Sequence, residues 1–256
     1  MLGAVGFDLG DTLVAYEGVP LSWQREYPAA LAAMGAELDV GLAEDQLARG
    51  IEVLLRYNTR VAPRVHEVDD RVLFGELLSA LGFTVQLPQR DFDRCVDAFF
   101  SVFRGRARVV LGAVESVSAL LTSGVRVGVL TDVAYAMPRR LVSDDLATAG
   151  LGMLLDSTLT SSDVGFRKPE PHGFLALASR LDTPVRDLVF VGNEPKDVEG
   201  AIGAGAQAVL LWREAAPVPD WGQLLTVRSL AELPSVLGRM WAGAAAQQRH
   251  RADGAN

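Results

Sequence analysis

The second half of the chain alternates short apolar runs with stretches of helical spacing, and this alternation constrains the fold more than any other feature. The pattern begins near residue 108. Its apolar runs lie at 125–130, 154–158, 188–191 and 208–212. Alternation of this kind is typical of a parallel sheet whose strands are connected by crossover helices. The sequence therefore predicts an α/β fold from this point onward.

A further apolar run stands at the very start of the chain and ends on Asp8. Residues 1–7 carry no charged side chain, which predicts a buried strand of the same parallel sheet. Gly10, Asp11 and Thr12 then indicate a turn. Reactive groups of open parallel sheets gather beyond the carboxyl ends of the strands, so Asp8 is a candidate nucleophile or metal ligand. A turn or capping aspartate is the alternative that these residues leave open.

Between these two parts lies a block with helical character. Apolar residues recur at helical spacing in residues 21–34, 42–57, 69–81 and 89–103, and no strand is predicted between 15 and 103. We expect an all-helical domain at 15–107, inserted into an α/β core formed by 1–14 and 108–242. Hinges are expected near 15–20 and 104–110. Residues 243–256 contain few large hydrophobic side chains and are predicted to form a disordered tail.

Composition narrows the classes of partner. The net charge is −8 and no basic patch stands out, so we expect no nucleic-acid partner. No apolar run reaches 18 residues, so no membrane span is expected. The single cysteine, Cys95, lies in an apolar stretch, which predicts a buried thiol and a reducing, cytoplasmic location. Both a monomer and a homodimer are compatible with the sequence.

Four short segments, in order, resemble the motifs of the haloacid dehalogenase (HAD) superfamily. They are FDLGDTLV around Asp8, Thr131 after VRVGVL, Lys168 in FRKPEP, and the loop VGNEPKD. The resemblance covers residues 1–14 and about 108–212. It implies a Rossmann-like parallel-sheet core, a helical cap that closes over the active site, and membership in the phosphatase-like branch.

The resemblance also implies roles for individual residues. Asp8 would be the nucleophile that attacks phosphorus. The Thr131 hydroxyl and the backbone N–H of Asp132 would bind a phosphate oxygen. Lys168 would neutralise both Asp8 and the phosphate. Judged from the residues alone, Thr131 could instead cap a helix, and Lys168 could be a solvated loop lysine.

A magnesium site is implied at the same place. Its oxygen ligands would come from Asp8, the backbone carbonyl of Gly10, and the loop residues Asn193, Glu194 and Asp197. Hard cations such as Mg²⁺ prefer oxygen ligands. Asp197 would equally suit the first turn of a helix as an acid that interacts with the helix dipole.

The sequence departs from the family pattern at two positions. Gly10 stands where phosphatases of the family carry a second aspartate that acts as general acid and base. Asp11 follows one residue later, and we consider it either a replacement catalytic group or a turn residue. Asn193 stands where an aspartate is usual. Asn193 supplies an oxygen without charge, which predicts weaker metal binding unless Glu194 or Asp197 compensates.

Side chains at the start of the inserted block are expected to face the site. Tyr16, Trp23 and Arg25 are candidate substrate contacts, with core packing as the alternative for Trp23. Arg167, beside Lys168, is expected to form a salt bridge at the surface.

The predicted function is a Mg²⁺-dependent phosphohydrolase that acts on a small phosphorylated metabolite through an aspartyl-phosphate intermediate. One alternative is a catalytically weak member that binds a phosphorylated ligand or a partner. A second is a 2-haloacid dehalogenase, although that branch uses a tyrosine near the position of Gly10.

Overall fold

A computed structural model describes residues 3–19, 22–83 and 87–253, with only the backbone described for 244–253. Its strands are β1 (Ala4–Phe7), β2 (Val14–Tyr16), β3 (Ala107–Val109), β4 (Arg126–Thr131), β5 (Ser157–Thr160), β6 (Leu188–Gly192), β7 (Gln207–Leu211) and β8 (Leu225–Val227). Its α-helices are α1 (Tyr27–Glu37), α2 (Glu44–Tyr57), α3 (Asp70–Ala80), α4 (Gln89–Arg104), α5 (Ala113–Thr122), α6 (Arg139–Thr148), α7 (Ser161–Val164), α8 (His172–Arg180), α9 (Pro195–Gly203) and α10 (Leu233–Asp253).

Six strands form one sheet in the order β5-β4-β1-β6-β7-β8, and all neighbours are parallel. The first strand of the chain therefore lies at the centre, between β4 and β6. Ala4 is in register with both Arg126 and Leu188. Because the three strands run in the same direction, their carboxyl ends meet at one edge. The predicted Rossmann-like α/β core is confirmed.

Helices α1 to α4 lie between β2 and β3 in the chain, as the predicted all-helical cap requires. A cluster of aromatic rings forms the interior of this cap and includes Phe74, Phe92, Phe99, Phe100 and Phe103. Cys95 is buried on α4, as predicted. Asp69 caps α3 by accepting a hydrogen bond from the Arg71 N–H.

The junction between cap and core contains strands that the sequence pattern did not reveal. β2 and β3 pair antiparallel, with Val14 opposite Val109. Strand structure therefore continues to Tyr16, and the prediction of no strand between residues 15 and 103 is wrong at its start. Each strand has only three residues, too few for a periodic pattern to be recognised. Gly18 and Gly112 flank this ribbon with φ of 69° and 83°, a conformation that glycine adopts at little cost.

Several element boundaries differ from the predicted ones. α1 begins at Tyr27, after a 3₁₀ turn at Gln24–Glu26, because Trp23 takes a left-handed backbone conformation. The predicted start at residue 21 lies outside the described residues. Pro138 precedes α6 as its N-cap. β5 begins at Ser157, three residues after the start of the predicted run at 154–158, and β8 was not predicted. Both strands are short and contain Ser or Thr, which weakens the apolar pattern.

The prediction of a disordered tail is wrong for residues 243–253. The backbone of α10 continues as a helix to Asp253. The segment is rich in Ala, Gln and Arg, which have high helix propensity even without an apolar face. Residues 254–256 lie outside the described part of the chain. No helix in that described part is long and apolar enough to cross a membrane.

We expect Gly128→Ala to destabilise the core. Gly128 lies on β4, and an added Cβ would lie 2.9 Å from Leu177 Cδ1 and 3.0 Å from the Ser157 carbonyl oxygen. The resulting overpacking should lower the free energy of unfolding by about 1–3 kcal/mol in urea titrations. Gly238→Ala on α10 is the matched control, since its Cβ would meet open space. It should be neutral or stabilising by up to about 1 kcal/mol, and an equal loss in both variants would contradict the packing argument.

Candidate active site

A buried lysine, Lys168, forms ion pairs with aspartates from two other predicted motifs. The Lys168 ammonium donates to Asp8 Oδ1 and Asp197 Oδ1, each at 2.6 Å, and its side chain is 1% exposed. Asp8 follows β1 directly, and its N–H donates to the Val191 carbonyl of β6 at 2.9 Å. The prediction that Lys168 neutralises Asp8 therefore agrees with the geometry, whereas the solvated-loop alternative does not.

Both carboxylate oxygens of Asp197 already accept hydrogen bonds. Its Oδ1 accepts from Lys168, and its Oδ2 accepts from the N–H groups of Asn193 and Glu194 at 3.1 and 3.0 Å. Those contacts satisfy backbone donors at the start of α9. A Cβ at Gly192 would come within 2.4 Å of the Asp197 side chain, so only glycine fits there. The geometry assigns Asp197 to holding Lys168 and capping α9.

The pKa values of Asp8 and Lys168 depend on their burial and on neighbouring charges. Burial raises the pKa of Asp8 to about 7, although Lys168 opposes this change. Burial by itself would lower the pKa of Lys168, but Asp197, Asp8 and Asp132 together hold it above its usual range. Lys168 thus remains a cation, and Asp8 is a carboxylate that burial has made more basic.

The loop after β4 supplies the next predicted group. Thr131 lies at the end of the strand, and among the described residues its hydroxyl makes a single long contact, 3.4 Å to the Asp132 carbonyl. That leaves the hydroxyl free to bind a ligand. The Asp132 side chain is engaged instead, because it accepts from the Lys168 N–H at 3.0 Å and pairs with Lys196 at 3.1 Å. Burial alone would raise the pKa of Asp132, but Lys196, Lys168 and Arg167 hold it below its usual value.

Oxygen atoms suited to a hard cation lie beside Asp8. The Thr12 hydroxyl is 3.3 Å from Asp8 Oδ2 and 3.0 Å from Asn193 Oδ1, so these two oxygens point toward a common region. Gly10 lines the same cavity. Across residues 3–19, 22–83 and 87–253, no three His, Cys, Asp or Glu side chains gather as a metal-binding group. The donor set fits Mg²⁺ in atom type, with a carboxylate, an amide oxygen and a carbonyl, and carries little charge.

Glu194 is a poor candidate for a metal ligand. Its carboxylate pairs with Arg60 of the cap through one oxygen and with Lys196 through the other, the latter at 2.9 Å. Although burial would raise its pKa, these two cations hold the Glu194 pKa below its usual value. Its charge is therefore already neutralised. As a replacement for the missing aspartate at Asn193, it would have to share its oxygens with these two cations.

Asp11 does not reproduce the position of a side chain on residue 10. Its backbone is left-handed, with φ of 56°, and its carbonyl accepts from Arg213. Burial raises the Asp11 pKa, with Arg213, Glu194 and Arg60 as the charges that act on it. Asp11 does line the cavity, so it remains within reach of a ligand there. A Cβ at Gly10 would meet no atom within 4 Å.

A cavity of about 150 Å³ lies between Asp8 and the cap. Of the predicted cap contacts, Tyr16 and Trp23 line it, whereas Arg25 is exposed and lies outside it. The Tyr16 hydroxyl donates to Asp145 at 2.9 Å. Trp23 stacks on Phe103 with ring centroids 4.0 Å apart, so the packing alternative for Trp23 holds together with its place in the wall.

Sequence reasoning missed several residues of the site. The expected surface salt bridge of Arg167 is wrong, because this side chain is only 6% exposed and pairs with the buried Glu67 of the cap. Asn58 and Tyr135 also line the cavity, and both bond the Tyr27 hydroxyl. Lys196 stood inside the VGNEPKD motif, which was a usable signal. Asn58 and Glu67 of the cap belong to no motif, so nothing in the sequence placed these two at the site.

A family model for haloacid dehalogenase-like hydrolases matches residues 2–205. The chain belongs to this family. A glyceraldehyde 3-phosphate phosphatase of Methanothermobacter thermautotrophicus is 26% identical over 218 residues, covering 82% of this chain and 86% of the relative. The expected resemblance to the phosphatase branch of the HAD hydrolases is thereby confirmed.

Solved structures agree with the fold. A HAD phosphatase from Thermococcus onnurineus has a TM-score of 0.63 at 20% identity, covering 92% of this chain and 98% of that one. A 2-haloacid dehalogenase from Pseudomonas syringae also reaches 0.63, at 21% identity, covering 94% of this chain and 100% of that one. Both are alike in architecture, so fold likeness does not separate the two chemistries.

The raised pKa of Asp8 predicts how stability depends on pH. Between about pH 4 and 7 the folded chain holds a proton on Asp8 that the unfolded chain releases. The contribution of Asp8 to stability is therefore present below pH 4 and is lost as pH rises through about 7. We expect the unfolding free energy of the wild type minus that of Asp8→Asn to fall from pH 5 to pH 8, by an amount on the order of 2–4 kcal/mol.

The measurement is urea unfolding of both proteins across this pH range in the presence of a chelator. Asp8→Asn keeps the size of the side chain and removes the titration, so its own profile serves as the reference. Parallel profiles would show that Asp8 ionises near its ordinary pKa.

Proposed function

We propose that this HAD hydrolase is a Mg²⁺-dependent phosphohydrolase that uses Asp8 as its nucleophile. The observation that carries the proposal is the pair of 2.6 Å contacts from the buried Lys168 to Asp197 and to Asp8, which lines the cavity. The pair fixes a carboxylate beside a cation, at the place where a phosphate group would enter. Thr131 lies at the end of the neighbouring strand with a hydroxyl available for a phosphate oxygen.

The proposed reaction has two displacements on phosphorus. An Asp8 carboxylate oxygen forms a bond to phosphorus while the ester P–O bond breaks, and the leaving alcohol oxygen takes up a proton. Water then attacks the aspartyl phosphate, loses a proton and releases inorganic phosphate, which regenerates the Asp8 carboxylate. Lys168, which is ion-paired with Asp8, is proposed to offset charge that develops on the phosphoryl oxygens.

Magnesium would be held by Asp8, the Gly10 carbonyl and Asn193. When bound, the ion would offset the repulsion between the Asp8 carboxylate and a phosphate dianion. Only one of these three groups is charged, and Lys168 already pairs with it. We therefore propose weaker magnesium binding than a site with a second carboxylate would give.

The absence of a side chain at residue 10 limits which leaving groups react well. An alkoxide leaves poorly unless it is protonated, and a positioned acid contributes about 10²–10⁴-fold to such a step. Asp11 faces the cavity from a different backbone direction and is proposed to supply only part of that effect. The same departure supports the second candidate, a weak hydrolase that mainly binds a phosphorylated ligand or a partner.

The proposed substrate is a small phosphorylated metabolite. The cap closes one side of a cavity of about 150 Å³, which favours small molecules over polymers. Tyr16 and Trp23 are proposed to contact its organic part. We propose a cytoplasmic location, as monomer or homodimer, without a nucleic-acid or membrane partner.

The first test is hydrolysis of an activated aryl phosphate by the wild type and by Asp8→Asn, with and without Mg²⁺. The leaving group needs little protonation, so the assay does not depend on a residue at position 10. We expect turnover that requires Mg²⁺ and falls at least about 10³-fold in Asp8→Asn, because the nucleophile is removed. Equal rates for the two proteins would instead favour the ligand-binding candidate.

A second test restores the acid. Gly10→Asp places a carboxyl in open space, and we expect about 10²-fold faster hydrolysis of an alkyl phosphate. The aryl phosphate serves as the control substrate, since its rate should change little. A similar gain on both substrates would contradict an acid-base role and point to altered metal binding.

A further inference from the structure

The loop that follows β4 is held by two buried side chains of the core. Both backbone polar groups of Val133 have buried partners. Its N–H donates to the Ser161 hydroxyl at 3.0 Å, and its carbonyl accepts from Arg167 Nη1 at 2.8 Å. Val133 lines the cavity directly after Thr131 and Asp132. The position of this loop therefore depends on Ser161 and Arg167.

Ser161 and Arg167 share one partner, the Glu67 carboxylate. The Ser161 hydroxyl donates to Glu67 Oε2 at 2.5 Å, and Arg167 Nη1 pairs with the same oxygen. Glu67 lies between α2 and α3, and its side chain is 2% exposed. A carboxylate buried to this degree requires charged and hydrogen-bonding partners. These partners are two core groups that themselves hold the Val133 backbone.

Backbone contacts seat the Glu67 segment on the core. The Glu67 N–H donates to the Gly165 carbonyl at 3.0 Å, and the Arg167 N–H donates to the Val65 carbonyl at 2.9 Å. His66 and Phe166, which lie between these residues in the two segments, form an isolated antiparallel bridge. The second carboxylate oxygen, Oε1, accepts from Arg64 at 3.0 Å. Glu67 is therefore fixed in place relative to Ser161 and Arg167.

We propose that Glu67 is a positioning residue for the phosphate-binding loop at residues 131–133. It acts through Ser161 and Arg167, which set the direction of the Val133 peptide groups and so of the Thr131 hydroxyl and the Asp132 N–H. This inference rests on the proposed function, in which that loop binds phosphate. It makes the geometry of the loop depend on the docked cap.

The test uses Glu67→Gln, which keeps the length of the side chain and an acceptor for Ser161 but removes the charge facing Arg167. We expect the Kd for inorganic phosphate, measured by calorimetry, to rise about tenfold. We expect kcat/KM for the aryl phosphate to fall by up to about 10²-fold, since small displacements of positioned groups have effects of that size. Hydrogen exchange of peptides covering residues 131–137 should quicken about tenfold.

The matched control is Asp97→Asn. Asp97 on α4 pairs with Arg140 on α6, which is another ion pair between cap and core, but both of its side chains are largely exposed. All three readouts should stay at wild-type values in this variant, because exposed pairs contribute little. A change in Asp97→Asn equal to that in Glu67→Gln would overturn the proposal, since any cap contact would then have the same effect.

Ser161→Ala keeps the Glu67–Arg167 pair and covers the case in which Glu67→Gln does not fold. It removes one of the two connections to Val133, so phosphate affinity should again fall and exchange at 131–137 should again quicken. Wild-type values for a folded Glu67→Gln, or for Ser161→Ala, overturn the proposal. If the wild type neither binds inorganic phosphate nor hydrolyses the aryl phosphate, the proposed function fails. Hydrogen exchange at residues 131–137 then still decides whether Glu67 orders the loop.

Discussion

The structure of the site depends on one buried cation held between two carboxylates. An ammonium group as enclosed as that of Lys168 requires compensating negative charge, and Asp8 and Asp197 supply it at 2.6 Å each. This requirement brings three separated parts of the chain to one edge of the sheet. Asp8 is made more basic by its burial, whereas Asp197 accepts hydrogen bonds from Lys168 and from the start of α9. Two carboxylates on one lysine thus have different chemistry available to them.

The cap covers the cavity and also supplies charged side chains that pair with core residues around it. Arg60 of the cap pairs with Glu194 of the core, and Glu67 of the cap pairs with Arg167 of the core. Each ion pair therefore joins the cap to the core. The first contact neutralises Glu194, which lines the cavity, and the second neutralises Glu67, which is buried against Arg167 and Ser161. Asp8, Gly10 and Asn193, the residues proposed to hold magnesium, line the same cavity.

The two departures from the family pattern act on different parts of the proposed reaction. Gly10 removes a proton donor and leaves open space at that position. Asn193 keeps an oxygen but removes a charge from the proposed metal site. Neither change touches Lys168, Thr131 or Asp8. The binding of phosphate and the attack on it are thus separable, in our proposal, from protonation of the leaving group.

The sequence by itself determined the alternation of strands and helices in the core, the inserted helical block, and the motif residues Asp8, Thr131, Lys168 and Asp197. Buried strands and amphipathic helices have local periodicity, and motifs are local, so both can be recognised from one chain. Only the tertiary structure decided that Arg167 is buried against Glu67, that Arg60 neutralises Glu194, and that Arg25 lies away from the cavity. Those outcomes depend on contacts between residues far apart in the chain. A charged side chain carries no local signal of whether its partner is solvent or another buried charge.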